Sequence, residues 1–363
     1  MLRTILLTAA VLFGALLDYL FLKPLIAQPT FDFAQYYFAG QLVADGKIAQ
    51  IYDREAYRPL IAAVELPVDK RSKYYNRPAA WALLCWPLSF FSYETAGRLF
   101  IALNFVLWGA LIWNLPLWLK APKYLRVWLV SLYPFAFSVG VGQDTLAITL
   151  VVAYSLCVLL EENQPLAGIL LGLCLVKPHV IMLLPLLLLM ARKYRAFFWF
   201  CVTGMALAGA SFLLVGIQGT QQWFDLLRAP TTDLFTADMA NFRALSVRLG
   251  LPLTVFAGMM VLASGAVTLT RGTYMERLSV LLVLSLLLSP HTYWQDYSLL
   301  SIVALGTSNR FIRYTILLPW GFFAPTPAWP IAACTLGFLF LMAIPALRSR
   351  FGSPNEARRE VIA

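Results

Sequence analysis

The fold turns on the stretch Leu166-Ala-Gly-Ile-Leu-Leu-Gly-Leu-Cys-Leu-Val-Lys-Pro-His-Val-Ile-Met-Leu-Leu-Pro-Leu-Leu-Leu-Leu-Met190, an apolar run broken only by Lys177-Pro178-His179. Similar apolar blocks recur along the chain. Its 363 residues are 60% hydrophobic and only 13% charged, with a mean hydropathy of +0.73. A soluble core of this size cannot hide that much apolar surface. Blocks of about 20 apolar residues, at ~1.5 Å rise each, cross the hydrocarbon core of a bilayer. The chain therefore reads as an all-α polytopic integral membrane protein. A membrane barrel is excluded, because apolar and polar residues do not alternate.

Candidate helices run over 4–22, 78–92, 95–117, 124–141, 144–160, 165–176, 178–190, 195–216, 252–270, 277–290, 295–308, 312–324 and 329–347. Longer polar stretches lie at 23–77 and 217–251, with no internal repeat and no separate soluble domain, so 1–363 reads as one membrane domain. Basic clusters at Lys120/Lys123/Arg126, Arg192/Lys193/Arg195, Arg271/Arg277, Arg310/Arg313 and Arg348/Arg350/Arg358/Arg359 assign those ends to the cytoplasm. Residues 23–77, 140–144, 177–179, 217–251, 289–296 and 325–328 then face the opposite side. An odd number of crossings must separate residue 77 from Lys120, so 78–92, with its internal Pro87, is expected to be partial or re-entrant. The expectation is about 12 spans (11–13), with both termini and the charged tail 348–363 cytoplasmic. The first apolar segment is read as a retained span, since no small-x-small cleavage site follows it.

The five cysteines (85, 157, 174, 201 and 334) fall inside apolar segments without paired spacing and read as small core residues. The net charge of +10 is no nucleic-acid signature here, because the basic residues sit mostly in short loops, as orientation and anionic lipid head groups require. Segments 165–176 and 178–190 hold about 12 residues each, roughly 18 Å of helix against a core of about 30 Å. Such a pair reaches only mid-membrane and sets Lys177-Pro178-His179 at the floor of an external cavity, where irregular backbone is tolerated.

The polar residues that remain carry the chemistry. Asp32, in Phe31-Asp-Phe-Ala-Gln-Tyr-Tyr-Phe-Ala-Gly40, is either a solvated loop residue or a base where a lipid-borne substrate meets water. The loop 23–77 that holds it is aromatic and basic, and apolar residues at helical spacing in 33–44 and 55–64 suggest interfacial helices. Lys177 is costly in lipid and reads either as a cation for a phosphate or pyrophosphate or as an ion-pair partner of Asp18, Asp144 or Asp296. His179 and His291, the only histidines, lie at external helix ends and have no ligand set for a metal. Gly140-Val-Gly-Gln143-Asp144 breaks a helix on the external side, with Asp144 either functional or a helix cap. No phosphate-binding or dinucleotide glycine motif and no Asp-x-Asp pair occurs, so nucleotide-driven transport and metal-dependent transfer from nucleotide sugars lose support.

Read together, these segments resemble the polyprenol-phosphate-mannose-dependent mannosyltransferases of the GT-C superfamily, in their bacterial branch. The resemblance covers nearly the whole chain. It rests on Asp32 with Tyr37-Phe-Ala-Gly40, Gly46 and Tyr52, and on Tyr75-Asn-Arg-Pro78 before an apolar run with Pro87. It continues through Gly142-Gln143, Ala167-Gly168 leading to Lys177-Pro178, and Ser289-Pro290-His291. Tyr-Asn-Arg-Pro stands where a Tyr-x-Pro-Pro form is usual.

The resemblance implies a GT-C-like bundle in the bacterial inner membrane. This would pass a sugar, mannose by preference, from a polyprenyl-phosphate donor to a lipid or glycan hydroxyl on the periplasmic side. No nucleotide, metal or other cofactor takes part, and the partners are membrane lipids, donor and acceptor. Asp32 matches the family's first-loop acid, the general base, with Asp18 and Asp296 as rivals. His291 matches a histidine near that carboxylate. Lys177 and Arg77 are the candidates for the donor phosphate, and Gln143, Tyr37, Tyr75, His179 and Asp296 for sugar or acceptor. The competing classes are a transporter or lipid flippase, for which broken helices and an intramembrane lysine are also expected, and an inactive assembly subunit with the same fold.

Overall fold

The computed structural model describes residues 32–64, 74–130, 132–228, 274–289 and 291–306, with scattered residues between 12 and 23 and between 239 and 243. The expectations over most of 4–22 and 217–251, over 252–270, 312–324, 329–347 and 348–363, and at Asp18 and Cys334, lie outside the described residues. Among those described, the chain is helical and holds no strand.

Helix α1 (Phe33–Ala44) follows Asp32, and α2 (Arg54–Ala63) starts where the Asp53 side chain accepts from the Glu55 backbone N–H. The short α3 (Ala79–Ala82) runs into a 3-10 helix over Leu83–Phe90. Next come α4 (Tyr93–Trp118), α5 (Arg126–Val130), α6 (Tyr133–Val141) and α7 (Thr145–Leu160). Helix α8 (Gln164–Leu173) is extended by a 3-10 turn at Cys174–Val176 and followed by α9 (Pro178–Ile181) and α10 (Leu184–Met190). Then follow α11 (Tyr194–Arg228), α12 (Tyr274–Leu288), a 3-10 helix at Trp294–Leu299 and α13 (Leu300–Gly306).

Two helices among the described residues are long and apolar enough to cross a membrane, Tyr93–Trp118 and Tyr194–Leu227, while the other apolar helices run 10–17 residues. Their outer faces carry Leu103, Val106 and Trp113 on α4 and Met205, Leu213 and Ile217 on α11, all exposed. Large contiguous apolar surface of this kind suits lipid, not water. Helices α8 and α11 approach closely, since a Cβ on Gly168 would lie 2.2 Å from the Ala196 carbonyl oxygen.

The first loop departs from expectation. Helix α1 is not an interfacial surface helix: nine of its residues, including Phe33, Tyr36 and Phe38, are buried, because apolar groups ring it. Helix α2, which buries only Tyr57 and Ile61, does have one apolar and one polar face. Two apolar clusters result. One gathers α4–α10, α12 and α13, and the other gathers α1 and α2 with Tyr52, Tyr75, Cys85 and Val215. The described cysteines 85, 157, 174 and 201 are free thiols, buried or partly buried.

Candidate functional site

Polar side chains collect where the two clusters meet. Helix α6 ends at Gly142, whose left-handed backbone (φ 68°, ψ 49°) sends its own N–H to Val139 and that of Gln143 to Ser138, closing the last carbonyls. The turn so made projects Gln143 and Asp144 together. It also receives the start of α1, because the Asp32 N–H donates to the Val141 carbonyl at 3.1 Å. Gln143 Nε2 then donates to Asp32 Oδ2 at 2.7 Å.

Arg77 enters from the segment ahead of α3. Its Nε donates to Asp144 Oδ2 at 3.2 Å and its Nη2 to Asp144 Oδ1 at 3.0 Å, a two-point fork. The same Nη2 donates to Gln143 Oε1 at 3.1 Å and to the Tyr36 oxygen at 3.3 Å, and the Tyr36 hydroxyl donates to Gln143 Oε1 at 3.3 Å. Arg77 and Asp144 are both buried. Asp144 thus serves as an ion-pair partner, and its side chain makes no cap to α7.

One residue further on, Thr145 opens the second half of the site. Lys177 Nζ donates to Thr145 Oγ1 at 2.8 Å and forms a short ion pair with Asp296. The ion-pair reading of Lys177, with Asp296 as the partner of the three considered, is what the fold builds. Asp296 also accepts from the Tyr293 N–H at 3.0 Å, and His179 Nε2 stands 3.9 Å from its Oδ2. The His179 and His291 rings meet edge to face at 6.1 Å between centroids, and His291 packs on Tyr293 at 4.9 Å. His291 lies in the connection after α12, where burial, and next the neighbouring His179, lower its pKa to about 4. It is neutral at pH 7.

Asp32, Arg77, Gln143, Lys177, His179, His291 and Asp296 therefore fall in one connected seam. Tyr37 and Tyr75 are spent on the fold, their hydroxyls donating to the carbonyls of Phe91 at 3.0 Å and Pro78 at 3.2 Å. Tyr36, Asp144 and Thr145 belong to the seam instead. The signal for Tyr36 was its spacing, because residues four apart share a helix face and Asp32 opens that helix. Of the three acids, Asp144 and Asp296 are buried in ion pairs, while Asp32 is partly exposed.

A helical, strongly apolar molecule with lipid-suited outer faces and a polar seam between two apolar clusters is a membrane protein. Residues 75–290, well over half of the chain, match the model of glycosyltransferase family 87. The chain belongs to that family, and its activity class is glycosyl transfer. The match contains Arg77, Gln143, Lys177 and His179, with Asp32 before it and His291 and Asp296 after it. Neither a curated protein nor a solved structure matches the chain.

Proposed function

We propose that the protein is a GT-C-type transferase moving a sugar, mannose by preference, from a polyprenyl-phosphate donor to a hydroxyl of a lipid or glycan acceptor. The observation that carries this reading is Asp32, a partly exposed carboxylate held by Gln143, which Arg77 backs, in the seam that also holds the buried Lys177. The acceptor oxygen attacks the anomeric carbon as Asp32 takes the hydroxyl proton. The bond from that carbon to the phosphate oxygen breaks, and polyprenyl phosphate leaves with the electron pair. A single displacement inverts the configuration and needs one base.

The leaving phosphate gains negative charge, which a cation in a site of lowered dielectric stabilises. Lys177 suits that task. Among the described residues, Thr145 and Asp296 take two of its three N–H groups, and the reading gives the third to a phosphate oxygen. His291, neutral beside His179, offers a ring nitrogen for the sugar or for orienting the base. The reading uses no nucleotide and no metal. It puts the seam on the periplasmic side of a bacterial inner membrane, with the basic loop ends in the cytoplasm.

The test is incubation of the purified protein with labelled polyprenyl-phosphate mannose and a membrane lipid extract. Label on a lipid or glycan product supports transfer. Label moved across a vesicle without chemistry selects a transporter, and neither result leaves an assembly subunit.

A further inference from the structure

We propose that Gln143, held from behind by Arg77 and Tyr36, is a positioning residue for Asp32, and that Arg77 serves this relay and not the donor phosphate. The proposal rests on the transferase reading above, since it assigns what orients that reaction's base.

The chemistry of the groups fixes the direction of the relay. A guanidinium has donors only, so the Gln143 atom 3.1 Å from Arg77 Nη2 is the carbonyl Oε1. The Tyr36 hydroxyl donates to that same oxygen. With Oε1 turned to Arg77 and Tyr36, the amide has only Nε2 to turn to Asp32, which it meets at 2.7 Å. A glutamine otherwise free to rotate by half a turn is thereby held as a donor to the carboxylate. Arg77 in turn is anchored by its fork onto Asp144, the next residue after Gln143. Its backbone is fixed too, because the Tyr52 hydroxyl donates to the Arg77 carbonyl at 2.7 Å.

Among the described residues, the charged and titratable groups facing the relay are Tyr36 from α1, Tyr75 and Arg77 ahead of α3, Cys85 after it and Asp144 ahead of α7, with Lys177 and Asp296 beyond Thr145. Arg77 spends Nε and Nη2 on these partners while buried on the Asp144 carboxylate. A phosphate on the same guanidinium would have to compete with that carboxylate. Lys177 is equally buried and paired with Asp296, but by a single ion pair and not a fork, so phosphate recognition is assigned to it.

The test measures kcat, donor KM and the pH profile of labelled transfer for Gln143→Leu, Gln143→Glu and Tyr36→Phe, with thermal unfolding of each variant as a control. Gln143→Leu lowers kcat about 100-fold with donor KM nearly unchanged, as expected when a base loses its orientation. Gln143→Glu keeps the contact with Arg77 but sets a carboxylate against Asp32, so the acid limb of the kcat profile moves up by about one pH unit or more. Tyr36→Phe, which removes one of the two donors to Oε1, lowers kcat several-fold. If the Gln143 variants do not fold, the Tyr36→Phe result decides, with an unchanged kcat overturning the relay. A Gln143→Leu variant with raised donor KM and intact kcat makes Gln143 a ligand and overturns the proposal alone. A wild type that transfers no sugar from polyprenyl-phosphate donors overturns the transferase reading, and this proposal with it.

Discussion

Asp32 and Asp296 are acids of one seam with different exposure. Asp296 is buried and held by Lys177, Thr145 and the Tyr293 N–H, so an acceptor hydroxyl cannot reach it without breaking that pair. Asp32 is partly exposed and accepts a hydrogen bond from the neutral amide of Gln143. Replacing Asp32 by Asn keeps shape and removes the proton acceptor. Transfer should fall by at least about 100-fold with donor binding retained, measured by labelled-product formation and by donor titration. Near-normal turnover in that variant would remove Asp32 from the mechanism. Lys177 calls for a paired design, because removing one partner of a buried pair leaves an uncompensated charge. Lys177→Met should cost about 3–5 kcal/mol of stability, and Lys177→Met with Asp296→Leu should recover most of it. If Lys177 also holds the phosphate, the double variant unfolds near the wild-type temperature yet does not bind donor. Recovered binding would make the pair purely structural.

At the scale of elements, hydropathy reads where the chain lies in lipid, and this is not always where a helix ends. The expected 95–117 and 144–160 appear as Tyr93–Trp118 and Thr145–Leu160, because Ser92 caps the first and polar residues flank both. The expected single helix 124–141 restarts at Tyr133 and 178–190 restarts at Leu184, each with its proline (Pro134, Pro185) in the first turn, where the missing N–H costs no helical hydrogen bond. Helix α11 outruns its expected end at 216. Its backbone kinks at Gly216 (φ 65°, ψ −167°) and continues through Gln218, Gln221 and Gln222, a polar stretch that apolar patterning cannot see. This extension docks on the first loop: the Trp223 indole stacks on Tyr52 at 6.2 Å and donates to the Asn76 carbonyl at 3.1 Å. Tyr52 and Trp223 together thus pin the two carbonyls that flank the Arg77 Cα. Trp223→Ala should speed hydrogen exchange in peptides covering 48–52 and 75–78 several-fold while leaving α7 unchanged, as mass spectrometry would register. Equal exchange in both regions would deny the extension a clamping role. The identity of Lys177's partner was beyond the sequence for a similar reason. Burial demands a counter-charge, but Asp296 lies 119 positions away, and the packing of α6 and α7 against the 3-10 helix at Trp294–Leu299 brings it near.

For the whole molecule, the seam is also the joint between the two apolar clusters, so what strains the seam strains the fold. The cluster of α1, α2 and Tyr75 meets the larger helical cluster through Asp32, Tyr36 and Arg77 on one side and Gln143 and Asp144 on the other. Global stability should therefore report on groups in or beside this joint, and His291 gives it a pH dependence of known sign. Burial, with His179 adding to it, holds the His291 pKa at about 4, below the 6.5 of an unperturbed histidine. Above pH 6.5 the ring is neutral in both folded and unfolded chains and contributes no slope. Between about 6.5 and 4 the unfolded chain takes up a proton that the folded one refuses, so stability declines as the pH falls, by up to about 3 kcal/mol in all. His291→Gln removes the refused proton and should flatten that part of the curve, as thermal unfolding in detergent from pH 7.5 to 4 would show. If wild type and variant lose stability in parallel over that range, the half-buried neutral histidine is not what ties the joint to pH, and the slope belongs to other groups of the seam.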